Sequence, residues 1–467
     1  MKGLLVCIFI FLAYISPYNT FAQSALPDSV NTRLKEAVKG FMERYHSPSI
    51  VVVAVHKGQV IFTEALGYAD IENKIPAAID SKFPIASVTK TFTATMLMQL
   101  VEKNITRLDD DVKKFVPEFK GDTDLAGKSG TTLFQLATHT SGLPRNTPAD
   151  VKFAKQIDMW LLLGSKDSVV AASTKKELLQ SLPFIKKEYP EYELMSYGDR
   201  HYSNLGYSIL GIALERAAKS DYADYVIKNI CRPLKMTNTG FGRKPADKSN
   251  IAKGYYYDET IKDFINTPAF ESNSALYAGG MYSTAPDLAK YLSFQFDNSS
   301  EASKVLSTDS RAMMHSLKIA WKPSYPLVLH EGHILGYRSI VTFNPELKIG
   351  WVVLTNTNDF DFSRINEYFN QLLSPVFRRK PEGELKKYTG RYELEGGYDS
   401  MELYLENDSL YSTYLKVELP KTALVSTGYN RFKAQGKGNY NIGYEFIEGE
   451  NGEIQMLNLG QLKWVKK

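Results

Sequence analysis

The segment Ser87–Leu100, SVTKTFTATMLMQL, constrains the fold more than any other stretch of the chain. Its pattern is apolar nearly all round, so a helix built from it has no face to give to water. Such a helix needs protein on every side, and only a large domain supplies that. The chain has the means, with 467 residues, 43% hydrophobic and 23% charged, enough for two or three domains with a sizeable core.

Strand and helix signals alternate around this segment. PSIVVVAVHKGQVIFTEALGYAD reads as a β-hairpin about Lys57 and Gly58, and an amphipathic helix precedes it. Leu205–Lys219 is a second apolar helix, and Thr284, Pro286 and Asp287 are the start signals of a third. RSIVTFNPELKIGWVVLTNT is another hairpin, followed by a helix from Ser363 to Phe377. The stretch from Arg145 to Arg200 alternates helical and polar patterns, with Thr174 and Glu177 spaced as a capping box and Pro183 closing the segment, as in a subdomain or lid. Strands at both ends with helices between them predict an α+β domain whose antiparallel sheet joins the N- and C-terminal parts.

The composition shifts at RRKPEGELKKYTGRYEL, after which short alternating runs are separated by Asn-Asp and Asn-Gly pairs. That pattern predicts a small all-β domain over 385–467, behind a main domain over 23–378. The first 22 residues read as a signal peptide: Lys2, an apolar run from Leu4 to Ile15, then Thr20 and Ala22 as small residues before the cut. Export to the periplasm or beyond is the expectation. The run is too short to span a bilayer comfortably, and no later segment approaches the roughly 20 apolar residues a spanning helix needs. With Cys7 in the leader, only Cys231 remains, so no intrachain disulfide is expected. The formal charge of +4 is spread without basic blocks, which argues against nucleic acid or an anionic membrane as partner.

Ser87 stands where a helix cap stands. A capping box would place Glu or Gln three residues later, and here Lys90 occupies that position. A lysine in the first turn faces the positive end of the helix dipole, and burial also disfavours its charged form, so it gives up its proton readily. Three residues along a helix bring both side chains to one face, where a lysine can serve a hydroxyl nucleophile as base. The spacing alone is weak, since Ser173 and Lys176 repeat it at an ordinary helix start. A second signal is HYSNLGYSILG, where Tyr202 and Asn204 point the same way from an extended segment. Read alone, Asn204 is as well explained as the cap of the helix from Leu205. A third signal is VLHEGHILGYRSIVTF, with His330 and Gly332 at the start of a strand, where glycine marks close approach of another backbone or a ligand. His330 and His333 fall on opposite strand faces, so zinc is not expected, and no metal or other cofactor is implied. His139 reads as a buried histidine bonded to loop backbone and is left outside the site.

Taken in order, SVTK, YSN and HEG resemble the three active-site motifs of the serine β-lactamase and penicillin-binding protein superfamily, nearest to its class C and CubicO-type branch. LFQLATHTSGLP, AGGMYSTAPDLAKY and ILGYRS resemble further segments of that family, and the tail resembles the lipocalin-like domain that often follows it. The resemblance implies an acyl-enzyme hydrolase acting on an ester, an amide or a D-amino-acid peptide. Ser87 is then the nucleophile, Lys90 and Tyr202 share the proton transfers, and His330 tunes Tyr202. Asn204 holds the substrate, Gly332 belongs to the third motif, and the Ser87 and His333 amides form the oxyanion hole. Alternatives are a true β-lactamase or D-Ala-D-Ala carboxypeptidase and, from another class, a non-catalytic penicillin-binding sensor or scaffold. The family's Lys-Thr-Gly is absent at the third motif, and Lys128–Gly130 carries Lys-Ser-Gly out of order. With His330 in place of that lysine, neutral substrates are expected unless Arg338 restores a positive charge. The partner expected is a small molecule or peptide, and the sequence leaves the oligomeric state open.

Overall fold

The computed structural model describes residues 26–120, 130–147, 169–188, 201–242, 251–377 and 385–467, with seven further positions between 150 and 160, and without 408, 417–420, 429, 435–442, 450, 452 and 460–461. The predicted leader, Lys128, Ser129 and residues 189–200 of the predicted lid lie outside the described residues. Two compact units divide between Leu373 and Ser374. Among the described residues no helix is long and apolar enough to cross a membrane.

The first hairpin forms as its turn residues dictate. Strands β1 (Ser49–His56) and β2 (Gln59–Asp70) join through Lys57 and Gly58, whose φ angles of 48° and 82° match the two-residue turns of twisted hairpins. Five more strands complete the sheet: β3 (Ile75–Pro76), β4 (Lys322–Ser324), β5 (Leu327–Ile334), β6 (Tyr337–Asn344) and β7 (Ile349–Thr355). The order is β4-β5-β6-β7-β1-β2-β3, with β1 antiparallel to β7 in the register Ile50↔Thr355 to His56↔Ile349. The N- and C-terminal hairpins therefore share one sheet, as the pattern predicts. β1 is buried on both faces, which explains its unbroken apolar run.

Helices cover the two faces. Val51, Val53 and Val55 join a core shared with helices α2 (Thr89–Glu102), α3 (Asn204–Ala218) and α4 (Ala285–Phe294). On the other side, Phe62 and Trp351 pack against Phe369 of the helix α5 (Phe362–Phe377). One polar side chain pins α5 to the sheet: buried Asn366 Oδ1 accepts from Trp351 Nε1 at 2.7 Å and Thr342 Oγ1 at 3.1 Å.

Every residue of α2 from Thr89 to Leu100 is buried. The four threonines on it need partners there. Thr91 and Thr95 hydroxyls donate to carbonyls of the preceding turn, Thr93 donates to the Tyr277 carbonyl at 2.6 Å, and Thr93 and Thr95 also meet the hydroxyls of Tyr222 and Tyr291. The helix starts read from sequence are present: Thr284 Oγ1 accepts from the Asp287 amide, and Thr174 and Glu177 form a reciprocal capping box. The segment read as alternating helix also contains strand Val169–Ala171, paired in parallel with Ala269–Glu271.

The second unit is a closed barrel of eight antiparallel strands in sequential order: β8 (Gly390–Leu394), β9 (Ser400–Glu406), β10 (Ser409–Tyr414), β11 (Thr422–Gly428), β12 (Arg431–Ala434), β13 (Gly443–Glu448), β14 (Ile454–Leu459) and β15 (Leu462–Lys466). Pairing of Tyr392 with Lys466 closes it.

Replacing Asn366 by Ala orphans two buried donors, each worth about 1–3 kcal/mol. The variant is expected to lose about 2–4 kcal/mol, read as a lower urea midpoint, while an unchanged midpoint would show that α5 is held without this pin.

Candidate active site

Ser87 lies in a single 3-10 turn, Ala86–Val88, ahead of α2, and its hydroxyl caps neither the turn nor the helix. The buried residue before it, Ala86, has a φ of 44°, a conformation that side chains other than glycine adopt at a cost. Bonds on both sides of Ile85 hold this turn. The Ile85 amide donates to the Met281 carbonyl at 2.9 Å, and its own carbonyl accepts from Ser339 Oγ at 2.8 Å. Strand β5 presses against the same carbonyl through Gly332. A Cβ on Gly332 would stand 2.2 Å from Ile85 O, so the glycine is present because another backbone approaches.

Lys90 is fully buried in the first turn of α2. Its Nζ donates to Ser87 Oγ at 3.1 Å, Asn204 Oδ1 at 2.9 Å and the Ala278 carbonyl at 2.8 Å. The ring centroids of Tyr202 and Tyr207 lie 4.7 and 5.5 Å away. Burial, with the Arg145 cation second, holds its pKa well below the ordinary lysine value.

The segment around Tyr202 is held by three consecutive residues: Pro144, which ends the SGLP stretch, Arg145 and Asn146. Ser203, not Asn204, caps α3: its Oγ accepts from the Gly206 amide at 2.8 Å and donates to the Pro144 carbonyl at 2.6 Å. The Arg145 carbonyl accepts from the Asn204 amide at 2.8 Å, and Asn146 Oδ1 accepts from Asn204 Nδ2 at 3.0 Å. With its Nδ2 engaged by Asn146, Asn204 turns its oxygen to Lys90. His139 is half-buried, accepts the Ser203 amide on Nδ1 at 3.1 Å and packs its ring 4.2 Å from that of Tyr202. Burial, then Lys90, His330 and Arg145 in that order, lowers its pKa well below the ordinary value, so the ring is neutral and able to accept.

A cavity of about 350 Å³ opens over this cluster. Ser87, Asn204 and His333 line it, while Lys90, Tyr202, His330 and Gly332 are not part of the lining. His330 is buried and hydrogen-bonded through Nδ1 to the Ala320 carbonyl. His333 Nε2 lies 3.3 Å from Asn358 Oδ1. Arg338 is turned to the Asn358 carbonyl, which its Nε meets at 2.8 Å, and is absent from the lining. A different cation is present: Arg145 lines the cavity, with its guanidinium 5.1 Å from the Tyr202 ring centroid. Much of the lining is apolar, including Phe153, Ile157, Leu178, Leu205 and Phe270. Ser173, the decoy nucleophile, is buried with its Oγ 2.9 Å from Ser274 Oγ.

The sequence matches the Beta-lactamase family over residues 34–374. The chain belongs to the β-lactamase family. It is 30% identical over 282 residues to beta-lactamase-like protein 2 of Dictyostelium discoideum, covering 57% of this chain and 45% of that one. It is 26% identical over 344 residues to protein flp of Staphylococcus aureus (strain MRSA252), covering 70% and 63%. The chain thus spans less than two thirds of these curated relatives. The octameric penicillin-binding protein homologue from Pyrococcus abyssi has the same fold, with a TM-score of 0.63 and 24% identity over 93% of this chain and 99% of that one.

Two contributors to this β-lactamase-family site carry no motif in the sequence, Arg145 and Asn146, while Ser339 closes the ILGYRS segment without being marked there as a site residue. Arg145 and Asn146 follow SGLP directly, and that adjacency was their one available signal. Among the described residues no three His, Cys, Asp or Glu side chains cluster as a metal site. Burial pushes the Cys231 thiol up to about 12, so it stays protonated and unreactive.

Gly332→Ala drives a methyl into Ile85 O and is expected to cost about 1–3 kcal/mol through displacement of β5 from the Ser87 turn. Thermal unfolding and covalent labelling measured together check it: stability and labelling should fall in step.

Proposed function

We propose that this protein is a serine hydrolase of the class C and CubicO-type branch, carrying a lipocalin-like barrel and acting through an acyl-enzyme on an ester, amide or D-amino-acid peptide bond. The observation that carries this reading is the Lys90 amine, stripped of water and 3.1 Å from the Ser87 hydroxyl. A lysine of lowered pKa is neutral in part of its population near neutral pH, and its lone pair can take the hydroxyl proton.

Ser87 Oγ then attacks the substrate carbonyl carbon, and its proton moves to Lys90. The amides of Ser87 and His333 stabilise the oxyanion, a contribution of about 3–4 kcal/mol per donor where it has been measured. Collapse breaks the bond to the leaving group, which receives the proton from Lys90 by way of Tyr202. Water next attacks the acyl carbonyl, and the same groups return the proton to Ser87. Asn204, fixed by Asn146, holds the substrate beside Lys90, and His330 acts behind Tyr202. The largely apolar lining of the cavity suits a hydrocarbon acyl group.

Ser87→Ala should lose labelling by a fluorophosphonate and all measurable ester turnover, and Lys90→Ala should lose about 10²–10⁴-fold in rate. Retained labelling in Ser87→Ala, with loss in Ser173→Ala, would place the nucleophile elsewhere.

The pH profile gives an independent check. Activity needs the neutral amine, so kcat/KM should rise with pH along a limb below the ordinary lysine value of 10.5. Arg145 disfavours the ammonium form, and Arg145→Gln therefore raises the Lys90 pKa and moves the limb to higher pH. A limb that stays in place would assign it to another group.

A further inference from the structure

We infer that His139 is a positioning residue for the proton transfers: its Nδ1 and its ring hold the Tyr202 segment in register with Lys90. The inference rests on the acyl-enzyme reading and adds to it a residue that the three motifs leave outside the site.

The chain turns sharply to bring this ring to Tyr202. His139 follows the short helix Leu133–Ala137 and has a φ of 60°, the left-handed conformation that commonly ends a helix and that histidine adopts more readily than most residues. The helix end is anchored on two sides. The Ala137 carbonyl accepts from the Tyr207 hydroxyl at 2.6 Å and from the Ala320 amide at 3.2 Å, and the Ala320 carbonyl in turn is bonded to His330. His139 is therefore fixed to α3 and to the chain leading into β4.

The bond to Ser203 sets the chemistry of the ring. A backbone N–H can only donate, so Nδ1 keeps its lone pair and the proton of the neutral ring sits on Nε2. That Nε2 is buried with no hydrogen-bond partner among the described residues. An orphaned polar atom is a cost that packing alone does not require, since a carbon ring would fill the space without it. What the imidazole adds is the acceptor. Protonation would set an N–H against the Ser203 N–H and break the bond. Lys90 from α2, His330 from β5 and Arg145 after SGLP all oppose a charge on the ring, and Tyr202 and Tyr207 pack against it.

Ser203 lies between the two working residues. Asn204 has its own holders in the Arg145 carbonyl and Asn146, and the Ser203 hydroxyl is tied to the Pro144 carbonyl. His139 acts instead on the Ser203 amide and the Tyr202 ring. Its loss should therefore disturb proton transfer through Tyr202 more than substrate binding at Asn204.

The test uses two substitutions that both accept a φ of 60°. His139→Gly removes acceptor and ring, whereas His139→Asn loses the ring and keeps an acceptor atom near the place of Nδ1. With 4-nitrophenyl butyrate, His139→Gly should lower kcat by about 10- to 100-fold, the order of loss caused by a misplaced reacting group, and leave KM little changed. His139→Asn should recover most of that loss. Equal losses in the two variants, a rise in KM in place of the fall in kcat, or an unchanged kcat in His139→Gly overturns the inference and leaves the hydrolase reading standing. If the wild-type protein neither turns over the ester nor takes up a fluorophosphonate, the hydrolase reading falls instead. Hydrogen exchange at the Ser203 amide then judges His139 alone. Protection that is lost in His139→Gly and kept in His139→Asn supports it, and equal exchange in the two variants refutes it.

Discussion

The site depends on keeping one amine out of water. A buried ammonium is costly unless every proton finds an acceptor, and Lys90 has three acceptors from three separate parts of the chain. They come from its own turn, from the start of α3 and from the carbonyl of Ala278. The chain from Tyr277 to Met281 follows the start of α2 closely: the Tyr277 carbonyl takes the Thr93 hydroxyl, and the Met281 amide donates to Thr89 Oγ1 at 3.2 Å. Gly211 makes the same region possible from the α3 side, since a Cβ there would lie 2.2 Å from the Tyr277 ring. The all-round burial of α2 is thus what shelters the amine, and the hydroxyls of its threonines are the polar groups that such burial permits when each is paired.

The sheet supplies the other half of the cleft. β5 reaches the Ser87 turn because Gly332 carries no side chain and because Ser339, paired with it across β6, bonds the Ile85 carbonyl. The strained φ of Ala86 is held between these contacts and the Met281 carbonyl, as expected for a conformation that the surroundings over-determine. Pairing of β1 with β7 joins the two hairpins that flank the helical part of the chain. The nucleophile and the strand facing it therefore sit on one rigid framework, although they are far apart in sequence.

Much of this was legible in the residues. Periodicity gave the buried helix, turn chemistry gave both hairpins and the all-β tail, though not its eight strands or their closure, and side-chain caps gave the starts at Thr174 and Thr284. The ambiguity at Ser203 and Asn204 could not be settled locally, because serine and asparagine are equally good caps. Tertiary contacts decide it: the Pro144 carbonyl takes the serine hydroxyl, and Lys90 takes the asparagine oxygen. Asn146 and Asn204 are 58 residues apart, a pairing that no helical or strand period encodes. Arg145 was invisible for the same reason, and the cation suspected at Arg338 proved to be committed to the chain around Asn358. Ser339 was legible as the end of the ILGYRS segment, but its bond to Ile85 is a product of the fold.

The barrel's closure has its own consequence. Tyr392, Met401, Leu403, Phe446, Leu457 and Trp464 fill its interior, each no more than 3% exposed. Eight strands enclose a space just wide enough for side chains or for one small ligand, and here side chains take it. Closure also pairs each strand with two neighbours, so no open rim is offered for another chain to extend by main-chain hydrogen bonding. Whatever this unit recognises, it must do so with the outward-facing side chains and the loops, as a studded drum rather than a cup or a zipper.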